Sequence, residues 1–226
     1  ENFVMKYSYE THLHTSQGSA CAVNTGREMV RAHKENGDAG IFITDHFFNG
    51  NTAVDLNLSW KDKVEQFCRG YEEAKDEGDK IGLDVFFGFE YAFNGTDFLI
   101  YNLDKKWLLL HEDIDKTDAS SAIALMRSDG AFVVHAHPFR ERNYISHIQL
   151  CPDWVDAIEV KNGGHLKEPV FDERARWYAN SYQLHVTAGS DTHSVAGAFR
   201  SSILCEEKIT DASHYRQMVM DGKIIF

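Results

Sequence analysis

Phe3-Val4-Met5-Lys6-Tyr7-Ser8-Tyr9, followed by Glu10-Thr11 and closed by His12-Leu13-His14, is the stretch whose reading decides the fold. The apolar, aromatic-rich run 3–9 predicts a strand. Residues i and i+2 of a strand share a face, so His12 and His14 are expected side by side at its carboxyl end. Neutral imidazole is a common ligand for divalent transition metals. Two histidines two apart mean little alone. The weight comes from how many later segments end the same way.

Working outward, Thr25-Gly26-Arg27-Glu28 reads as a helix start, with Gly37 as its stop. The apolar run 40–44 suits a strand buried on both faces and ends in Asp45-His46. Residues 59–77 read as a helix, with Val64, Phe67, Cys68 and Tyr71 on one face and Gly78 as its stop. The strand 84–89 ends in Glu90, and 97–103 gives a fourth. A helix capped by Asp118 leads to the strand 131–134, which ends in His135-Ala136-His137-Pro138. The strand 155–160 ends in Lys161-Asn162, and a helix carries Phe171, Ala175, Tyr178 and Tyr182 along one face. The strand 184–188 ends in Gly189-Ser190-Asp191-Thr192-His193. A short apolar piece over 202–205, a helix capped near Asp211 and Ile224-Ile225-Phe226 complete the chain.

Seven apolar strands, mostly separated by helices, predict a parallel α/β barrel or open sheet over one domain spanning 1–226. Barrel enzymes place their chemistry at the carboxyl ends of the strands. Here those ends carry His12/His14, Asp45/His46, Glu90, His135/His137, Asn162 and Asp191/His193. A random scatter of His, Asp and Glu does not choose strand ends so often.

Composition narrows the partners. The 226 residues are 43% hydrophobic, enough for a sizeable core, and the formal net charge is -12. No clustered Lys/Arg offers a groove for long nucleic acid. No apolar run is long enough to span a bilayer, and no basic-then-apolar leader opens the chain, so a soluble cytoplasmic protein is expected. The chain begins at Glu1, so a natural start upstream or a trimmed end is expected. The four cysteines, Cys21, Cys68, Cys151 and Cys205, lack C-x-x-C spacing and read as reduced thiols. Cys21 stands apart because it follows the His12/His14 strand closely. Nothing in the sequence sets the oligomeric state.

Ions need mixed imidazole and carboxylate ligands converging on one cavity. A carboxylate is the natural bridge between two of them, and Glu90 is the bridging candidate. Ions about 3.5–4 Å apart can share a hydroxide and clamp an in-line displacement at phosphorus. Metals are also the largest local charges, which lets an acidic protein attract a phosphate.

At this point the chain resembles the PHP (polymerase and histidinol phosphatase) superfamily of metal-dependent phosphoesterases. The resemblance runs from His12-x-His14 through Ile43-Thr44-Asp45-His46, Gly88-Phe89-Glu90 and Ala136-His137-Pro138 to Gly189-Ser190-Asp191-Thr192-His193. It implies a distorted (β/α)7 barrel with two or three divalent ions (Mn, Fe or Zn) at the strand carboxyl ends. It implies His12, His14, Glu90 and Asp191 around one ion, Glu90 and His137 around a second, and His46 and His193 near a third. It implies that Arg140, just past His137-Pro138, meets the substrate phosphate; bidentate guanidinium–phosphate geometry makes that sensible. Asn162 is a further candidate substrate contact.

Two positions depart from the family pattern. Ser19 and Ala20 stand where many members carry a third-ion His or Asp, so a weakly held third ion is expected. Asp97 stands where many carry a His, so the second ion is expected to take an oxygen ligand there or lack one. Asp45 is expected to orient its neighbours. By strand alternation, His135 is expected in a packed environment rather than beside His137. His33, His111, His147, His165, His185 and His214 read as surface or partly buried, with His111 and His165 able to line a pocket. The function expected is hydrolysis of a small phosphorylated metabolite or nucleotide, with a metal-bound hydroxide attacking phosphorus. The alternatives are an exonuclease acting on short oligonucleotides and a metal-binding module without turnover.

Overall fold

Glycines, caps and one tight turn divide the chain into nine strands and six helices in a computed structural model that describes residues 7–226. The expected strand residues 3–6 lie outside the described residues. Within the described residues, β1 (Tyr7–Leu13) contains His12 rather than ending before it. Helix α1 (Gly26–Asn36) starts with a full capping box: Thr25 accepts from the Glu28 amide, and the Glu28 side chain accepts from the Thr25 amide. Gly37 ends it at φ 87°, a conformation that costs glycine least. β2 (Gly40–Ile43) follows.

Helix α2 (Trp60–Ile81) runs past Gly78 and stops at Gly82. Gly78 is a packing residue instead. A Cβ there would lie 2.6 Å from the Leu83 carbonyl oxygen, so the helix sits too close to the next strand for any side chain. β3 (Asp84–Phe93) is longer than the apolar run 84–89 and does not end at Glu90. Asn94 (φ 52°) and Gly95 (φ 79°) turn it directly into β4 (Thr96–Tyr101), which runs antiparallel. That hairpin is the main departure from an all-parallel barrel. Because β4 runs backwards, its first residues, not its last, reach the rim where the other strands end.

The remaining elements are α3 (Lys105–Leu110), α4 (Ala119–Ser128), β5 (Phe132–Ala136), β6 (Ala157–Asn162), α5 (Val170–Tyr182), β7 (His185–Gly189), β8 (Ile203–Cys205), α6 (Ala212–Met220) and β9 (Ile224–Ile225). The sheet order is β7-β6-β5-β4-β3-β2-β1-β8-β9. β1–β2–β3 and β5–β6–β7 pair in parallel; β4 and the appended β8 and β9 pair antiparallel. The two ends of the seven-strand portion meet where the His14 amide donates to the Thr192 carbonyl (2.9 Å) and the Thr192 amide to the His12 carbonyl (3.2 Å). The result is a nearly closed, distorted seven-stranded barrel with two extra strands outside it.

Apolar packing fixes which end of the barrel is open. Tyr215 of α6 packs against Phe42 of β2, Tyr101 of β4 and Phe132 of β5, with ring centroids 4.9, 5.3 and 5.4 Å away. Phe132 opens β5, Tyr101 closes the backward β4, and Phe42 pairs with Phe86 near the start of β3. Helix α6 therefore plugs the amino-terminal mouth, and removing one such aromatic should cost about 3–5 kcal/mol. Helices α1 and α2 cover the outer face of β1–β3 through Met29, Val30, Ala74, Ile41, Ile43 and Val85. The carboxyl rim is left free. No helix among the described residues is long and apolar enough to cross a membrane.

Candidate metal centre

At that rim the chain buries an unusual density of polar groups. His12 and His14 are wholly buried, and Glu90 is 1% exposed. Glu90 is held mid-strand: its amide donates to the Asp45 carbonyl (2.9 Å), and its carbonyl accepts from the Phe47 amide (2.8 Å). Its carboxylate faces four imidazoles. Glu90 Oε1 lies 3.4 Å from His12 Nε2 and 3.2 Å from His137 Nε2. Glu90 Oε2 lies 3.5 Å from His14 Nε2 and 2.7 Å from His46 Nδ1. Asp191 completes the ring, with Oδ1 3.4 Å from His12 Nε2 and 3.2 Å from His14 Nε2.

Two of these residues have costly backbones. His137 (φ 30°) and Asp191 (φ 53°) lie in the left-handed region. Asp tolerates that conformation; His rarely adopts it, and such strain persists where surrounding structure enforces it. Gly189 lets the end of β7 come close enough to place Asp191, since a Cβ there would lie 2.6 Å from the His12 Cβ.

Beneath this ring lies a second set of groups that the sequence reading did not assign. Glu159, mid-strand in β6, accepts from His12 Nδ1 (2.9 Å), the His137 amide (3.0 Å) and Asn162 Nδ2 (2.8 Å). It thereby fixes the His12 tautomer and turns Nε2 toward the cavity. Ser19 does the same for His14: its hydroxyl lies 3.0 Å from His14 Nδ1, accepts from the His46 amide and donates to Asp45 Oδ1. Asp45 also accepts from the Thr15 amide and hydroxyl, so it orients the loop, as expected. Neither Ser19 nor Glu159 carried a sequence signal. Ser19 marks a departure from the family pattern, and Glu159 sits inside an apolar strand.

Arg140 is tied into the same layer. Its Nη2 contacts Asp191 Oδ2 (2.6 Å) and Asn162 Oδ1 (2.9 Å), and its Nε donates to His165 Nε2 (3.2 Å). Nη1 has no partner among the described residues, and the side chain lines the cavity. Asn162 is 2% exposed and shares its amide between Glu159, Arg140 and the Gly164 amide. It reaches the cavity through Arg140. His33 and His165 are buried rather than superficial: His33 binds Asp38 (2.8 Å) and His165 binds Asp172 (2.6 Å). His135 packs against Phe98 and Tyr178, away from the ring.

Charge within the site is balanced by protons and by Arg140. Burial would lower His12 and His46, but Asp191, Glu159 and Glu90 hold His12 well above its ordinary value, and chiefly Glu90 holds His46 at about 11. His14 is pushed well down by burial and by His46 and His193. Burial and the Glu90 charge raise Asp97 to about 7. Burial opposes ionisation of Glu90 and Asp191, yet the imidazoles and Arg140 respectively keep both well below the usual carboxylate range.

Three observations test the fit to divalent ions. His12 Nε2, His14 Nε2 and Glu90 Oε2 are buried without an aligned hydrogen-bond partner, a costly condition for polar atoms. Donor atoms of His12/His14/Glu90, Glu90/Asp97/His137 and His14/His46/His193 each lie within 4.8 Å of one another. Above them lies a cavity of about 470 Å³ walled by His46, Glu90, Asp97, His137, Arg140, Asp191 and His193. Mixed imidazole and carboxylate sets of this kind suit divalent ions.

A distorted seven-stranded barrel with a histidine- and carboxylate-lined carboxyl rim is the class these observations define. No protein-family profile matches the sequence, and no curated protein matches it. Solved structures do. One is a two-domain protein from Bacteroides vulgatus containing a predicted PHP-like metal-dependent phosphoesterase: TM-score 0.69, 16% identity, 96% of this chain covered. This chain spans 63% of that protein's length. A second, provisionally described as a metal-dependent phosphoesterase, from Bifidobacterium adolescentis, has TM-score 0.56 and 18% identity, covering 94% of this chain and 95% of its own. A third, an amidohydrolase from Chromobacterium violaceum with bound sulfate and no metal, has TM-score 0.56 and 14% identity, covering 96% and 97%. At these identities the likeness establishes the fold: the chain has the barrel of PHP-like phosphoesterases, and its His/Glu clusters are suited to divalent ions.

Proposed function

We propose that this chain is a metal-dependent phosphoesterase acting on a small phosphorylated metabolite or nucleotide. The observation that carries the reading is the convergence of His12 Nε2, His14 Nε2 and Glu90 Oε2, all buried and unpartnered, beneath a cavity that Glu90, Asp191 and His137 line. His12, His14, Glu90 and Asp191 would hold one ion; Glu90, His137 and Asp97 a second; His46 and His193 border a third position. When bound, the ions supply Lewis acidity to phosphoryl oxygens and lower the pKa of a water.

The rest is the work of this chain's residues. Glu90 would hold the two ions between its carboxylate oxygens and the facing imidazoles. Glu159 and Ser19 keep two imidazoles aimed. Arg140 has Nε and Nη2 anchored, leaving Nη1 free to donate to a phosphoryl oxygen and to balance charge as it develops. A cavity of about 470 Å³ favours a phosphomonoester or the end of a short oligonucleotide over a long duplex, consistent with the net charge of -12.

The test is elemental analysis of chelator-free protein, then a screen of phosphorylated metabolites, nucleotides and short oligonucleotides with added Mn, Fe or Zn. At least two equivalents of metal and turnover of a small phosphoester are expected. Less than one equivalent, with none taken up on soaking, overturns the reading. On the substrate found, Arg140→Ala should keep its metals while kcat/KM falls by about ten- to a hundredfold, the worth of one charge-assisted contact. Unchanged kinetics would place the phosphate contact elsewhere.

A further inference from the structure

Ser19 and Ala20 leave the third position without a ligand from the first loop, and the Ser19 hydroxyl is fully committed to His14, Asp45 and the His46 amide. The same loop carries Cys21. It is exposed, whereas Cys68, Cys151 and Cys205 are buried. Cys21 lines the cavity beside His46 and His193. The loop is pinned there by main-chain bonds, Ala20 amide to Asn51 carbonyl (2.9 Å) and Val23 amide to His193 carbonyl (2.8 Å). Two wholly enclosed atoms point into the same space without aligned partners: His14 Nε2 and Glu90 Oε2, the latter 2.7 Å from His46 Nδ1.

We propose that Cys21 is a metal ligand, its sulfur joining His46 and His193 to hold a third ion. This deepens the metal-centre reading and rests on it. The thiol proton leaves to solvent as the sulfur binds, so uptake at this position releases a proton. A thiolate with two imidazoles is a softer donor set than the carboxylate-rich positions beside it. It favours zinc, iron or cobalt over manganese or magnesium. The third position then binds zinc tightly, contrary to the weak site expected from Ser19 and Ala20, while manganese fills only the other two.

The probe is cobalt(II), titrated into the metal-free full chain and followed by near-ultraviolet absorption. A sulfur-to-cobalt charge-transfer band should grow with one equivalent, and Cys21→Ser should abolish the band and one equivalent while keeping the other two. In parallel, zinc should slow alkylation of Cys21, mapped by mass spectrometry, by about tenfold or more, since a ligated thiolate is no longer a free nucleophile. Two or more cobalt ions bound with no such band, and alkylation indifferent to zinc, would overturn the role of Cys21 and leave the two-ion reading standing. A chain that takes up neither cobalt nor zinc overturns both.

Discussion

Glu159 and Glu90 are both enclosed mid-strand carboxylates at 1% exposure, a few ångströms to either side of the His12 ring. Glu159 is saturated with protein donors: an imidazole, a backbone amide and a side-chain amide. Glu90 meets only imidazole nitrogens, and one of its oxygens has no aligned donor. The layer around Glu159 is complete without any ion, whereas the layer around Glu90 is complete only with cations. A buried charge is expensive unless it is compensated. At Glu90 the compensation comes from imidazoles alone, and that difference from Glu159 is what the proposed split between ion-holding and ligand-aiming groups rests on.

The largest effect should come from Glu90→Gln. The variant keeps the shape and removes the charge that the proposed two ions would share. Metal content should fall below one equivalent and activity by about a thousandfold or more, since loss of a bridging charge removes more than one contact. Inductively coupled plasma analysis beside steady-state kinetics reads both. A variant retaining two ions would show that Glu90 is not the bridge.

Glu159→Gln should do less. Gln can still accept from His12 Nδ1, but the charge that makes this imidazole a stronger ligand is gone. Outer carboxylates of this kind are worth about 10–100-fold in metal affinity. A competition titration against a chelator measures it. A loss as large as that of Glu90→Gln would erase the distinction between the two layers.

The sequence made the rim legible because its candidate ligands stand near strand ends: His12 and His14 two apart, His137 facing away from His135, Asp191 and His193 after β7. The supporting layer was not legible for the same reason. Glu159 lies within a run that reads as an ordinary buried strand, and its role depends on His12, which is distant in sequence. Ser19 and Asn162 act through hydrogen bonds that no spacing rule encodes. The Asn94-Gly95 turn was a readable hairpin signal. Read without that turn, the apolar run places Glu90 at a strand end and Asp97 in a parallel strand; the hairpin puts Asp97 at the start of a backward one at the rim.

His135 sharpens the comparison from outside it. Both of its nitrogens are also buried and unpartnered, but aromatic rings surround it and no carboxylate converges on it. Burial first, then His137, pushes it down to about 3 from an ordinary 6.5. Below pH 6.5 the unfolded chain therefore takes up a proton that the native chain refuses. The stability this confers is complete above pH 6.5 and is lost as pH falls toward 3, by about 1.4 kcal/mol per unit or tenfold in the folding constant. Denaturant titrations of metal-free protein at a series of pH values should show a shallower slope for His135→Phe. Equal slopes would mean that His135 is not held neutral.

The smallest effect belongs to Ser19→Ala. Glu159 grips His12 with a charge, whereas Ser19 grips His14 with a neutral hydroxyl, and a neutral hydrogen bond is worth about 1 ± 0.5 kcal/mol. Removing it frees the His14 ring to rotate, so metal affinity should fall by only about fivefold, the equivalent of 1 kcal/mol. Stability should fall as well, by about 1–3 kcal/mol, because Asp45 Oδ1 loses one of its donors in an enclosed site. The two readouts separate positioning from folding. Ser19→Thr keeps the hydroxyl and should restore the affinity, even if the added methyl group lowers stability against the tight Gly18–Asp45 approach. If Ser19→Ala instead loosens metal as much as Glu159→Gln, the hydroxyl matters as much as the carboxylate, and the supporting layer is graded by geometry rather than by charge.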